Sequence, residues 1–222
     1  MPGVTITANY GAGGSYIAPA VARALSVPML DRAISTEVAA ALHVSVQEAE
    51  GGQLKRSLVD RFLGVLAPLS GGVLGAGTDA APPENAFPAP EDSDLFREQA
   101  EVIMRSALAS GAVIHGRAGA AAFQREPGVL HVYLGGATQA RIVQGAAIEH
   151  VSLEQARKAR AEVDRARAHY VRRLYNISID DPSLYDLQLD STRLPLDTCV
   201  ELITLAYRSL RPDRARSDRG AE

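Results

Sequence analysis

Two hydrophobic rhythms alternate along the chain. Short runs rich in β-formers occur at Val4–Thr7, Val27–Leu30, Ala112–His115, Val129–Leu134 and Tyr185–Asp190, and most stop at glycine or an acid. Such runs predict buried strands. Between them, apolar residues recur at helical spacing, as Ile17, Val21 and Leu25 do within Ser15–Leu25. The same spacing predicts helices over Ala33–Leu42, Leu54–Leu66, Leu95–Ser110, Thr138–Ile148, about 152–176, and Pro195–Leu210. Pro19 removes a backbone donor, which predicts a kink or a helix start displaced toward Pro19. Gly111 reads as a C-cap, Ser152 with Gln155 as a capping box, and Pro195 as a first-turn proline. Strands alternating with helices predict an α/β fold, a parallel sheet covered on both faces.

Composition interrupts this rhythm once. Ser70–Asp94 reads SGGVLGAGTDAAPPENAFPAPEDSD and predicts a long loop, either a mobile surface connection or the edge of a substrate-covering lid. The chain therefore divides into one domain over 1–210, with a helical insertion at about 35–110 containing the flexible loop 70–94. A charged tail at 211–222 is expected to fray. There is no internal repeat.

The 222 residues suffice for one sizeable domain, and 46% hydrophobic with 22% charged residues is the balance of a soluble globular protein. A net charge of −3 offers no global cationic footprint for nucleic acid. A single cysteine, Cys199, excludes an internal disulfide framework, and its apolar helical face predicts a buried structural thiol. The N-terminus lacks the basic and apolar regions of a signal peptide, and no apolar run approaches a bilayer span. The expectation is a cytoplasmic protein that engages neither membrane nor nucleic acid.

In parallel sheets, ligands sit beyond the carboxyl ends of the strands. Those ends are Ala8–Ser15, Asp31–Arg32, Gly116–Arg117, Gly135–Gly136 and Asp190–Thr192. The first, NYGAGGS, admits three readings. As a dinucleotide loop it gives G-x-G-x-x-Y, with Asp31 twenty residues beyond Gly11 as a ribose-binding acid. As a phosphate-binding loop, G-x-x-x-x-G-K-[ST], it puts Gly14 at the lysine and Ser15 at the metal-binding hydroxyl. As a structural turn it needs no ligand. At the other ends, Asp31 is a helix N-cap or a ligand. Arg117 follows a buried strand, where a guanidinium suits bidentate phosphate contact or a surface salt bridge.

The long helix carries a packed face at Ala156, Val163 and Tyr170, with Arg165 and Arg172 on a second stripe and Arg160 and Arg167 on a third. Arg173 extends the cluster. This is either a solvated face or a basic lid over phosphates. In phosphoryl transfer, arginines supply charge neutralisation that a missing lysine does not.

Taken together, YGAGGSYIA (Tyr10–Ala18), VPMLDRAI (Val27–Ile34), VIHGRAGA (Val113–Ala120), DRARAHYVRRLY (Asp164–Tyr175) and DDPSLYDLQLDSTRLPLDTCVELI (Asp180–Ile203) resemble the cytidylate kinase-like family. This family lies within the P-loop nucleoside monophosphate kinase superfamily, and the likeness is to a branch with a lysine-free loop. The resemblance implies a P-loop kinase core with a helical acceptor-binding insertion and an Arg-rich lid. It implies ATP and Mg²⁺ as cofactors and a small nucleotide as partner. Carried over, Gly11, Ala12, Gly13, Gly14 and Ser15 wrap the donor phosphates, with Ser15 on the metal. Asp31 and Arg32 lie toward the acceptor, and Arg117 holds its phosphate. Arg165, Arg167, Arg172 and Arg173 belong to the lid, Arg165 and Arg167 acting with Arg117 in catalysis. The departures are Gly14 for lysine, Ala118 for an aspartate, and Ala8-Asn9 where the branch often carries Arg-Glu. They leave open a kinase, or a nucleotide-binding regulatory protein with little or no turnover.

Overall fold

The structure, a computed structural model, describes residues 3–30, 93–116, 118–124 and 126–210. Along the described chain run β1 (Val4–Ala8), α1 (Gly14–Leu25), β2 (Met29–Leu30), α2 (Ser93–Ala109), β3 (Val113–His115) and α3 (Gly119–Ala122). They are followed by β4 (Leu130–Gly135), α4 (Thr138–Glu149), α5 (Leu153–Tyr175), β5 (Leu187–Asp190) and α6 (Leu196–Leu210).

The five strands form one parallel sheet in the order β2-β3-β1-β4-β5. Central β1 pairs Val4 with both Val113 and Leu130, and the register carries Gly135 opposite Asp190 at the far end. Strand alternation sorts the layers. Val4, Ile6 and Ala8 share a core with Ile17, Val21, Cys199 and Ile203, so α1 and α6 cover that face. On the other face Ile114 packs with Met104, Leu108 and Phe123. The chain leaves β1 toward the β2 edge and leaves β4 toward the β5 edge. The crevice of an open α/β sheet therefore falls above the carboxyl ends of β1 and β4.

Helix boundaries follow local chemistry. Gly111, at φ 81, closes α2: its amide donates to Leu108 O, and the Ala112 amide donates to Ala107 O. The predicted capping box is present, Ser152 accepting from the Gln155 amide while the Gln155 side chain accepts from the Ser152 amide. The helix start is not displaced to Pro19: α1 begins at Gly14 with Pro19 inside it. Left-handed Gly13 starts the helix one turn earlier, its carbonyl accepting from the Tyr16 and Ile17 amides. Pro19 forfeits a single ladder bond, the one its amide would make to Ser15. Helix α2 takes Ser93 and Asp94 from the predicted loop. The helices predicted at Ala33–Leu42 and Leu54–Leu66, the remainder of that loop and the tail lie outside the described residues.

Helix α5 runs across the carboxyl edge of the sheet. Its Ala156 and Val163 pack with Tyr10, Ile142 and Ala146, and its Val171 with Ala118 and Ala121. At its end Leu174 O accepts from Arg97.

Candidate phosphate-binding site

The loop between β1 and α1 is fixed by its carbonyls. Ala8 O accepts from Arg167, Tyr10 O from Arg141 at 2.9 Å, Gly11 O from Gln144 at 2.9 Å and Ala12 O from Ser191 at 2.7 Å. Asn9 O accepts from the Ala12 amide, and Gly13 O from the first turn of α1. Every carbonyl from Ala8 to Gly13 is thus held by protein. Gly11 and Gly13 make this path possible at φ 71 each, and a Cβ on Gly11 would lie 2.0 Å from Arg141 O. The amides of Gly14 and Ser15 open α1, which has no side-chain cap bond and no acid in its first turn. A helix cannot satisfy these amides itself, and with the macrodipole they favour an anion.

Arg141 is the central support. It is 5% exposed, and besides Tyr10 O its guanidinium reaches Gly136 O at 3.1 Å and Asp164 Oδ2 at 2.9 Å. The other Asp164 oxygen accepts the Tyr10 amide at 2.9 Å, while Tyr10 Oη donates to Glu149. One ion pair therefore ties the loop, the β4–α4 turn and α5 together. Arg141 and Gln144 do not stand out in the sequence, and Asp164 and Ser191 stand out only as members of longer segments. Only the adjacency of Asp164 to packed Val163, and the LDST segment that contains Ser191, hint at them.

The arginines of α5 divide. Arg167 is half-buried and bonded to Ala8 O beneath the loop. Arg165 and Arg172 are exposed. Arg173 lies at the other end, lining a cavity of about 500 Å³ with Arg97, Glu101 and Tyr175. The structure therefore brings Arg167, alone of these four, into a described bond with the glycine loop. Asp31, Arg32 and Arg117 lie outside the described residues.

At the neighbouring strand ends, Asp190 Oδ1 accepts from Thr192 Oγ1 at 2.6 Å and from its amide at 3.0 Å. These bonds hold the Asp190 carboxyl below its ordinary value. Gly136 leaves this turn no side-chain space, since a Cβ would meet Asp190 Oδ1 and Thr192 Oγ1 at 2.7 Å. Asn9 donates to Tyr133 Oη, which donates to Asp180 at 3.1 Å. Burial first, and Asp180 second, push the Tyr133 phenol up to about 12. Ala118, replacing the expected aspartate, is buried against Val171. Cys199 is fully buried and burial raises its thiol, which makes it a core residue as expected.

A model of the cytidylate kinase-like family matches residues 3–193. The chain belongs to that family. The five-stranded parallel sheet with its surrounding helices has the P-loop kinase fold expected of this family. Membership supports small-molecule kinase activity in general terms. A search of curated proteins finds no match. Among solved structures, an uncharacterized protein from Eubacterium ventriosum ATCC 27560 is 14% identical, with 94% of this chain and 99% of that chain covered and a TM-score of 0.62, a likeness of fold. A gluconokinase from Sinorhizobium meliloti 1021 is 14% identical over 94% of this chain and 93% of its own, with a TM-score of 0.47. A shikimate kinase from Acinetobacter baumannii, in complex with shikimate, is 11% identical over 96% of each chain, also at 0.47.

Among the described residues no helix is long and apolar enough to cross a membrane, and no group of three or more His, Cys, Asp or Glu could hold a metal ion. A magnesium ion that arrives with nucleotide needs few protein ligands, because phosphates and water complete its octahedron. Half-buried Ser15, at the start of α1, fits that requirement.

Proposed function

We propose that the chain is a kinase using ATP and Mg²⁺ to phosphorylate a nucleoside monophosphate or a similar small acceptor. The observation that carries this reading is the loop in which every carbonyl from Ala8 to Gly13 is held by protein ahead of the uncapped start of α1. Family membership supplies the chemistry that such a cradle serves.

In this reading Gly11 to Ser15 hold the donor phosphates through backbone amides. Mg²⁺, held by Ser15 Oγ and phosphate oxygens, would neutralise charge on the transferring group. An acceptor oxygen, positioned by Arg117 with Asp31 and Arg32 nearby, forms a bond to the γ-phosphorus. The bond from that phosphorus to the β,γ-bridging oxygen breaks, and ADP leaves with the electron pair. Exposed Arg165 and Arg172 supply positive charge, with Arg173 further along the same helix. Arg167 works from beneath, through its bond to Ala8 O.

Steady-state kinetics of Arg117→Ala and Arg165→Ala test these roles. The expected result is a raised acceptor KM for the first and a lowered kcat for both. Unchanged acceptor affinity and turnover in Arg117→Ala would remove it from the site. Mg-ATP binding without product from any acceptor would select the second reading, a nucleotide-binding regulatory protein, which the glycine at the lysine position favours.

A further inference from the structure

The side chain after Ser15 is an aromatic ring facing water. Tyr16 is 44% exposed, and among the described residues no other tyrosine or phenylalanine is exposed. Its amide is spent on Gly13 O, so what it has to offer is the ring. The ring is held at its tip: Tyr16 Oη donates to Asp197 Oδ1 at 2.7 Å, in the first turn of α6. Leu196, beside Asp197, sits against the glycine loop, since a Cβ on Gly13 would lie 2.8 Å from Leu196 Cδ2. Tyr16 therefore links the starts of α1 and α6, which follow β1 and β5 at the carboxyl edge of the sheet. Pinning the ring costs side-chain freedom in the free protein, and a ring ordered in advance loses less when a ligand arrives.

The sheet order gives the site a direction. The residues proposed for the acceptor, Asp31, Arg32 and Arg117, follow β2 and β3 in the chain, and the loop proposed for the donor phosphates follows central β1. A γ-phosphate that meets its acceptor on the β2–β3 half leaves the nucleoside to the β4–β5 half, from which α6 starts. There Tyr16 presents an exposed aromatic surface one residue from Ser15. A nucleobase can lay its π-face on such a ring whatever its hydrogen-bonding edge.

We propose that Tyr16 is the stacking platform for the base of the donor nucleotide, with its ring held ready by Asp197. This inference rests on the kinase reading of the loop.

The test is calorimetric titration of Mg-ATP, and of methyl triphosphate with Mg²⁺, into the wild type, Tyr16→Ala and Tyr16→Phe. Methyl triphosphate keeps the triphosphate ester and its charge and lacks the nucleoside. Tyr16→Phe keeps the ring without its hydroxyl, and Tyr16→Leu, apolar but not aromatic, repeats the comparison should Tyr16→Ala not fold. The expected result is Mg-ATP binding about tenfold weaker in Tyr16→Ala and within about threefold of wild type in Tyr16→Phe, with methyl triphosphate bound alike by all three. Unchanged Mg-ATP binding in Tyr16→Ala would overturn the proposal. So would an equal loss for Mg-ATP and methyl triphosphate, since the residue would then act on the loop alone. Wild-type protein that binds Mg-ATP no more tightly than methyl triphosphate would overturn it while leaving the kinase reading in place. Binding of neither ligand by the wild type would instead remove the kinase reading itself, and this proposal with it.

Discussion

A buried guanidinium at Arg141 decides whether the loop keeps its shape. Replacing Arg141 with Met leaves Asp164 without its cation and two carbonyls, Tyr10 O and Gly136 O, without their donor. Breaking one side of a buried pair costs about 3–5 kcal/mol, and Asp164 at 21% exposed places the expected loss near about 3. Urea denaturation reads this directly, and a loss under about 1 kcal/mol would show that the pair does not hold the loop. Gly11→Ala is expected to cost at least about 2 kcal/mol, because it combines a left-handed φ with a clash against Arg141 O. Unchanged melting would contradict that. The sequence shows the glycines but not the groups that hold them. Gly11 and Gly13 are legible because few other residues tolerate their dihedrals. Arg141 is indistinguishable, in sequence, from a charge on a solvated helix, Asp164 is marked only by its place beside Val163 at the start of a family-like motif, and tertiary packing is what pairs them.

At the scale of elements, α5 is docked rather than free. Its Val163 packs with Tyr10, its Asp164 takes the Tyr10 amide, and its Val171 packs against the helix that follows β3. The residues that this docked helix leaves exposed include Arg165 and Arg172, two of the arginines expected to form a lid. The start of α5 depends on the capping box, and Ser152→Ala is expected to cost about 1 kcal/mol in thermal or urea unfolding. Full retention of stability would mean the docked face alone sets where the helix begins. The strands were readable because buried parallel strands are nearly continuous apolar runs. The four-residue helix Gly119–Ala122 and the 3₁₀ turn Pro182–Leu184 were not, because neither is long enough to show a period. A start displaced toward Pro19 is not found because the helix begins at Gly14, behind left-handed Gly13, while Pro19 lies within it.

The whole molecule should answer to pH through His131. Its Nε2 faces the Phe123 carbonyl at 3.0 Å, which can only accept, so Nδ1 accepts the Thr5 hydroxyl at 2.7 Å. Burial lowers the His131 pKa from 6.5, outweighing Asp186. The unfolded chain then binds this proton more readily than the fold, so stability rises with pH across this window. It is lost as pH falls below about 6.5 toward the lowered folded value. His131→Gln should flatten that slope in melting measured between pH 7 and pH 5, and an unchanged slope would assign it to another group. At this scale the sheet, its covering helices and its family were legible from the order of five modest motifs. The acceptor is not, because no residue set in the sequence distinguishes one base, or a non-nucleotide, from another.

The central claim is that a P-loop without its lysine still serves phosphoryl transfer. ADP formation from Mg-ATP, assayed against a panel of ribo- and deoxyribonucleoside monophosphates, tests it most directly. The account predicts turnover with one acceptor class and its loss in Arg117→Ala and Arg165→Ala. ADP formation with none of them, from protein that binds Mg-ATP, would contradict it.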